Sequence, residues 1–158
     1  FGVGIWQIRR MGLSIWKTAD VFAPGVAIAY AIGRIGCFLN GCCYGRPTES
    51  WLGVSFPPES LVGSPGEALI PIQLFSSLNL FIIFAILVYL RRYKKFDGQI
   101  FWFYVLLYGL TRSIIEIFRG DPRGQIWVFS TSQFLGIIFA ILALVMLGRL
   151  GKAKERNF

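Results

Sequence analysis

Arg34 and Arg112 stand inside apolar stretches of this chain, and a guanidinium in such a place needs a reason. Inserting an arginine into a membrane helix costs at least about 2.5 kcal/mol, so each requires a partner or a task. Arg112 has one in reach. Glu116 follows at i+4 and Arg119 at i+7, so the two side chains fall on one helix face with Arg119 one turn further on. Tyr108, four residues before Arg112, shares that face. Arg34 has no acid in its own stretch closer than Asp20, at the opposite end. An external anion completes the charge count, and a phosphodiester suits the planar guanidinium fork. The competing account is that Arg34 snorkels to its own interface.

The surroundings of Arg34 are unusual as well. The stretch GRIGCFLNGCCYGRPT, residues 33–48, holds four glycines and all three cysteines of the chain. Gly33, Gly36, Gly41 and Gly45 permit either close helix packing or a backbone that cradles a headgroup, and spacing does not separate the two. Cys37, Cys42 and Cys43 are odd in number and lack a disulfide pattern. The chain has no histidine, so three thiolates lack a fourth protein ligand unless a carboxylate joins them. The expectation is small packed cysteines, no metal and no cofactor. Replacing Cys42 and Cys43 by serine is then expected to leave function intact.

These side chains must be carried by membrane helices. Hydrophobic residues make up 55% of the 158 and charged residues 15%, well below the charge of a soluble domain. Four segments are long and apolar enough to span: 21–39, 71–90, 99–118 and 130–147. Residues 1–8 read as the end of an earlier span, and with no initiator Met the chain reads as part of a longer one. The fold class is therefore an all-α polytopic bundle of four spans plus the end of another, in one domain. Segment 40–70 forms an external loop rich in proline and is long enough to be functional.

The net charge of +8 is placed in clusters. Arg9, Arg10 and Lys17, then Arg91, Arg92, Lys94 and Lys95, then Arg149, Lys152, Lys154 and Arg156, alternate with the spans. That is the pattern of cytoplasmic loops and a cytoplasmic C-terminus, and it leaves no need to invoke nucleic acid. Arg34, Tyr108, Arg112, Glu116 and Arg119 then lie at or near the outer face, with Gln73 and Gln133 at the starts of their spans. Trp51 and Trp127 suit the outer interface, and Phe56-Pro57-Pro58 suits contact with headgroups.

In order along the chain, GRIGCFLNGCCYGRPT, PIQLF (71–75), YGLTRSIIEIFRGD (108–121) and STSQFLG (130–136) resemble the prolipoprotein diacylglyceryl transferase family of the bacterial cytoplasmic membrane. The resemblance implies transfer of diacylglyceryl from phosphatidylglycerol to the thiol of a lipobox cysteine in a prolipoprotein signal peptide. A thioether forms and glycerol phosphate leaves. It implies Arg34 and Arg112 as the two essential arginines, and Asn40 and Gly45 as signature positions. Tyr108, Glu116 and Arg119 match the later motif, and Gln73 and Gln133 the flanking ones. On this basis Arg34, Tyr108, Arg112 and Glu116 are expected at the reacting centre. Arg34, Asn40, Gly45, Gln73, Arg112, Arg119 and Gln133 are expected on the lipid. The departures are Cys37 where many members have Asn, Cys42 where they have Glu, Phe75 for a frequent Tyr and Ser76 for a frequent acid. The family's His-Gly-Gly motif, a source of the base, is expected upstream of Phe1. Rival readings are an inactive lipid-binding member, an anion channel, and a redox or metal site at the cysteines.

Overall fold

A computed structural model of the chain describes residues 2–57, 60, 66–120, 125–126 and 129–155. Trp127, Pro58, Arg123 and Arg156 lie outside the described residues. The described residues form five helices: α1 (Gly2–Arg10), α2 (Ile15–Leu39), α3 (Ile72–Arg91), α4 (Gln99–Glu116) and α5 (Thr131–Glu155). Two antiparallel ribbons of two residues per strand accompany them, β1 (Val54–Ser55) with β2 (Ala68–Leu69), and β3 (Gln125–Ile126) with β4 (Phe129–Ser130).

Helix α2 begins six residues before the expected span. Ser14 caps it, its hydroxyl oxygen accepting from the Lys17 amide at 3.4 Å. Gly12, at φ +69°, turns the chain out of α1, and the Leu13 amide bonds back to the Ile8 carbonyl at 3.1 Å. The added turn brings in Asp20, which is 3% exposed and does two jobs. Its Oδ2 accepts from the Gly98 amide at 2.7 Å and its Oδ1 from the Phe101 amide at 2.9 Å, so it caps α4 from another helix. Lys94 Nζ lies 2.9 Å from the same carboxylate. Asp20→Ala leaves those two amides without an acceptor, and Lys94 keeps only its pair with Asp97 at 2.7 Å. The expected cost is roughly 2–4 kcal/mol, read as a lower thermal unfolding midpoint in detergent, with Asp20→Asn losing less.

Helices α2, α3 and α4 pack on one another, and α5 packs on α4. Ala23, Ala27 and Ala31 recur every four residues on α2, all buried. The small side chains of Ala23 and Ala27 let α2 approach α3 closely, against Ile83 and Leu87, with Ile100 of α4 completing the cluster. Ser77 of α3 donates to the Ala31 carbonyl at 2.8 Å. The α4–α5 crossing is set by a glycine pair: a Cβ at Gly109 would lie 2.7 Å from the Gly136 carbonyl oxygen. Gly33 and Gly36, by contrast, meet nothing within 4 Å, so no helix among the described residues packs on them.

Among the described residues, three helices are long and apolar enough to cross a membrane: Ile15–Leu39, Ile72–Arg91 and Thr131–Ala153. The last extends beyond the expected 130–147. Helix α4 is not in that set; its 18 residues include Arg112 and Glu116 near the C-terminal end. It lies instead among α2, α3 and α5. The basic turn after α3 meets the start of α2 and the end of α5: a Cβ on Gly98 would touch Trp16 and Leu150. Lys17, Arg91, Arg92, Lys94, Lys95 and Arg149 thus gather at one end of the bundle, and Arg34 and Arg112 belong to the other.

At that other end, the segment after α2 is tied to the helices by backbone bonds. The Gly45 amide donates to the Ile70 carbonyl at 3.0 Å, and the Arg46 amide to the Phe118 carbonyl at 3.1 Å. Gly45 and Arg119 pair as an isolated bridge. The 40–70 segment, expected as an external loop, is therefore anchored at both ends, with β1–β2 as its ribbon.

Candidate active site

Arg34 sits on α2 four residues after Tyr30, and the two interact as an i,i+4 pair. The guanidinium donates to the Tyr30 hydroxyl and lies over the Tyr30 ring, 4.7 Å from its centroid. The Tyr108 hydroxyl of α4 donates to the Tyr30 hydroxyl at 3.3 Å, and Tyr104 stacks on Tyr108 at 5.9 Å. Among the described residues no carboxylate forms an ion pair with Arg34. Its Nε is buried and makes no hydrogen bond there.

Arg112 is arranged differently. Its Nη2 lies 2.7 Å from Glu116 Oε2, and Arg119 Nε lies 3.8 Å from the same oxygen. All three side chains are largely buried. Ser132, at the start of α5, accepts from Arg112 at 3.4 Å, a contact that the Gly109–Gly136 crossing makes possible. Arg112 and Arg119 thus share a single carboxylate, and Arg34 adds a third guanidinium that pairs with none among the described residues. The local charge is a net +2, in surroundings of low polarity where an anion is strongly attracted.

Arg34 and Arg112 line one small cavity, with Tyr30, Ser76, Asn79 and Tyr108. Its volume is about 10 Å³, room for about one water. Tyr108 and Arg112 also line a second cavity of about 390 Å³ between α4 and α5, whose walls are mostly apolar and include Leu135 and Phe139. A third, about 350 Å³, lies under the loop and is lined by Ile70, Phe75, Ile114, Phe118 and their neighbours. A cationic spot is therefore flanked by apolar space on the same helix.

The structure distributes the expected site residues unevenly. Arg34, Tyr108 and Arg112 meet at the small cavity, and Glu116 and Arg119 stand behind Arg112. Gln73 is 1% exposed and donates to the Cys42 carbonyl at 2.8 Å, pinning the loop. Gln133 donates to the Ser113 carbonyl at 3.4 Å. Asn40 is exposed and caps α2 through its backbone amide. Gly45 has no room for a Cβ, which would fall 2.6 Å from the Ile70 carbonyl oxygen, so its role here is close backbone packing. Tyr30 and Asn79 were not anticipated. Tyr30 is one turn before Arg34, and that spacing is the signal for it. Asn79 donates to Thr111 at 2.9 Å across α3 and α4, and nothing in the sequence marks that partner.

The cysteines lie beside Arg34. Their three sulfurs are all within 4.8 Å of one another. Burial pushes the Cys42 thiol up to about 11, helped by the neighbouring Cys43 and Cys37. Burial also pushes Cys43 upward, but hydrogen bonds from Arg119 and Cys42 and the charges of Arg119 and Arg34 outweigh it, and the net shift is downward.

Apolar helices around a cationic cavity define a multi-pass helical membrane protein with its charged site between helices. The chain belongs to the prolipoprotein diacylglyceryl transferase family, whose description matches residues 1–149. It is 39% identical to the phosphatidylglycerol–prolipoprotein diacylglyceryl transferase of Clostridium tetani over 86% of this chain and 54% of that protein. It is 38% identical to transferase 2 of Clostridium perfringens over 99% of this chain and 60% of that protein. The enzyme of that name from Campylobacter hominis is 36% identical over 87% of the chain and 47% of its own length. The chain thus spans about half to three fifths of the curated relatives it matches.

Proposed function

We propose that this chain carries the phosphate-binding part of a diacylglyceryl transferase site, acting on phosphatidylglycerol and the lipobox cysteine of a prolipoprotein signal peptide. The observation that carries the reading is the shared cavity of Arg34 and Arg112, from two helices, with apolar space continuing from Arg112. That is the shape of a phospholipid: an anionic group at one end and acyl chains at the other.

In the reaction the acceptor sulfur forms a C–S bond to the diacylglyceryl carbon while the C–O bond to phosphate breaks. The bonding pair leaves with the oxygen, and glycerol phosphate departs. The thiol proton passes to a base. The phosphate goes from a singly charged diester to a more highly charged monoester, so charge grows where the guanidiniums are. Arg34 and Arg112 then bind the transition state more tightly than the ground state. Tyr108, which lines both cavities, donates in this reading to a phosphate oxygen once its bond to Tyr30 is exchanged. Glu116 acts through Arg112 and Arg119 as a positioning residue. A phosphate is larger than the small cavity, so binding requires Arg34 to exchange Tyr30 for the lipid and the two arginines to part. Asn40, Gly45, Gln73, Arg119 and Gln133 support the site by fixing the loop and the helix ends.

The topology that goes with this reading has four spans, α4 among them. The basic end of the bundle and the C-terminus face the cytoplasm, and the arginine cavity faces the outer leaflet of the bacterial inner membrane. The test is direct. The full-length polypeptide in detergent–lipid micelles, given phosphatidylglycerol with a labelled acyl chain and a lipobox peptide, is expected to move label onto the cysteine. Binding of the lipid with no transfer favours an inactive lipid-binding member, and anion flux through vesicles favours a channel.

A further inference from the structure

The convergence of Cys37, Cys42 and Cys43 has no part in the phosphate chemistry. We propose that these three thiols form a binding site for one thiophilic cation of the zinc(II) or copper(I) class, clamping the end of α2 to the loop that follows it.

The geometry is that of a three-sulfur site. Every pair of sulfurs lies within 4.8 Å. Zn–S bonds of about 2.3 Å in a tetrahedron set S···S separations near about 3.8 Å, so a shift of roughly 1 Å per pair closes the site. Such a shift is small for side chains that are only partly buried. A disulfide needs two sulfurs and leaves the third over, whereas a thiophilic cation uses all three.

The backbone is bent to produce this convergence. Gly41 turns at φ +66° just after α2, and the Cys42 amide donates to the Cys37 carbonyl at 3.1 Å, laying the loop back over the last helical turn. Cys43 then takes φ +60°, the only non-glycine among the described residues with a positive φ. A conformation that ordinary side chains avoid points to a constraint worth a function.

The electrostatics fit as well. Three thiolates around zinc carry a net charge of −1, and around copper(I) −2. Arg119 hydrogen-bonds to Cys43, and Arg34 acts on both Cys37 and Cys43, so the surroundings are already cationic. Gln73, whose Nε2 bonds to the Cys42 carbonyl, has a buried Oε1 with no hydrogen-bond donor among the described residues. That is an orphaned acceptor beside the cluster, suited to a water in the open fourth position. The missing histidine that argues against metal in the sequence is therefore not decisive, because an open tetrahedral position does not need one. Binding replaces S–H by S–metal bonds and releases the protons to solvent; no electrons are exchanged.

The proposal is independent of the transfer reaction and is read by binding alone. The full-length protein, reduced, freed of reductant and held in detergent, is titrated with cadmium(II) as the spectroscopic probe and zinc(II) as competitor. The expected result is sulfur-to-cadmium charge-transfer absorption saturating at one cadmium per chain and displaced by zinc. The triple variant Cys37→Ser/Cys42→Ser/Cys43→Ser, checked for its native elution volume, is expected to bind at least about 100-fold more weakly. Should it not elute as the native protein, Cys37→Ser alone is used and is expected to lose affinity by the same route. Equal binding by wild type and variant overturns the proposal. So does an absence of saturable binding, or a protein that forms a disulfide in air and takes up no cadmium when reduced.

Discussion

Arg34→Ala, placed in the full-length protein, is expected to lower diacylglyceryl transfer by about 10²–10³-fold while the unfolding midpoint moves little. The two halves of that result have separate causes. Arg34 has no carboxylate partner among the described residues, so removing it strands no buried anion. The Tyr30 hydroxyl keeps its bond from Tyr108. What is lost is the guanidinium that meets the phosphate as its charge grows. Arg34→Lys is expected to recover only part of the rate, because a point charge does not reproduce the planar fork. Transfer of labelled diacylglyceryl to a lipobox peptide measures the first half, and thermal unfolding in detergent the second. Near-normal turnover in Arg34→Ala removes the basis of the functional reading. A protein that no longer inserts shows that Arg34 holds the fold instead.

That separation of function from stability is not visible in the sequence, and the reason is physical. Periodicity and charge report what happens on one helix. The Arg112–Glu116 pair and the shared face with Tyr108 are legible because i,i+4 spacing dictates them. Whether Arg34 and Arg112 meet is a tertiary matter, settled by the packing of Ala23 and Ala27 against α3 and α4 and by the Ser77–Ala31 bond that fixes how those helices cross. The apolar runs disclosed α2, α3, α4 and α5, with both ends of α3 to within one residue, but not the start of α2 or the end of α5. Helix α2 starts at Ile15 because of a serine cap and because Asp20 finds amide partners on α4, which no hydropathy window registers.

Glycine shows the same limit. Gly33 and Gly36 looked suited to close packing or a cradle and instead face open space, while Gly109 and Gly136, which drew no attention, set the α4–α5 crossing. A glycine's usefulness depends on what lies opposite it, and the sequence carries no record of that. The three cysteines are a parallel case. Their number and the lack of histidine argued for inert packing, and only the turn at Gly41 and the positive φ of Cys43 bring the sulfurs together. Ribbons two residues long are below the length at which alternation means anything, so β1–β2 was not to be foreseen.

The opposite expectation to Arg34 holds for Glu116, and comparing the two separates positioning from chemistry. Glu116 does not line the small cavity; its carboxylate sits against Arg112 at 2.7 Å and Arg119 at 3.8 Å. Glu116→Ala leaves two largely buried guanidiniums side by side with no counter-charge. The expected cost is on the order of 3–5 kcal/mol, seen as a marked fall in the unfolding midpoint, with transfer lost alongside. Glu116→Gln keeps the shape and an acceptor but not the charge, so both losses are expected to be smaller. Adding Arg119→Ala to Glu116→Ala removes one of the stranded cations and is expected to restore part of the stability, a coupling that a double-mutant cycle measures. A general base behaves otherwise. Glu116→Gln would then abolish transfer at unchanged stability, and removal of Arg119 would rescue nothing. The ratio of lost rate to lost stability across these three variants therefore decides whether the carboxylate holds Arg112 toward the phosphate or takes the thiol proton itself.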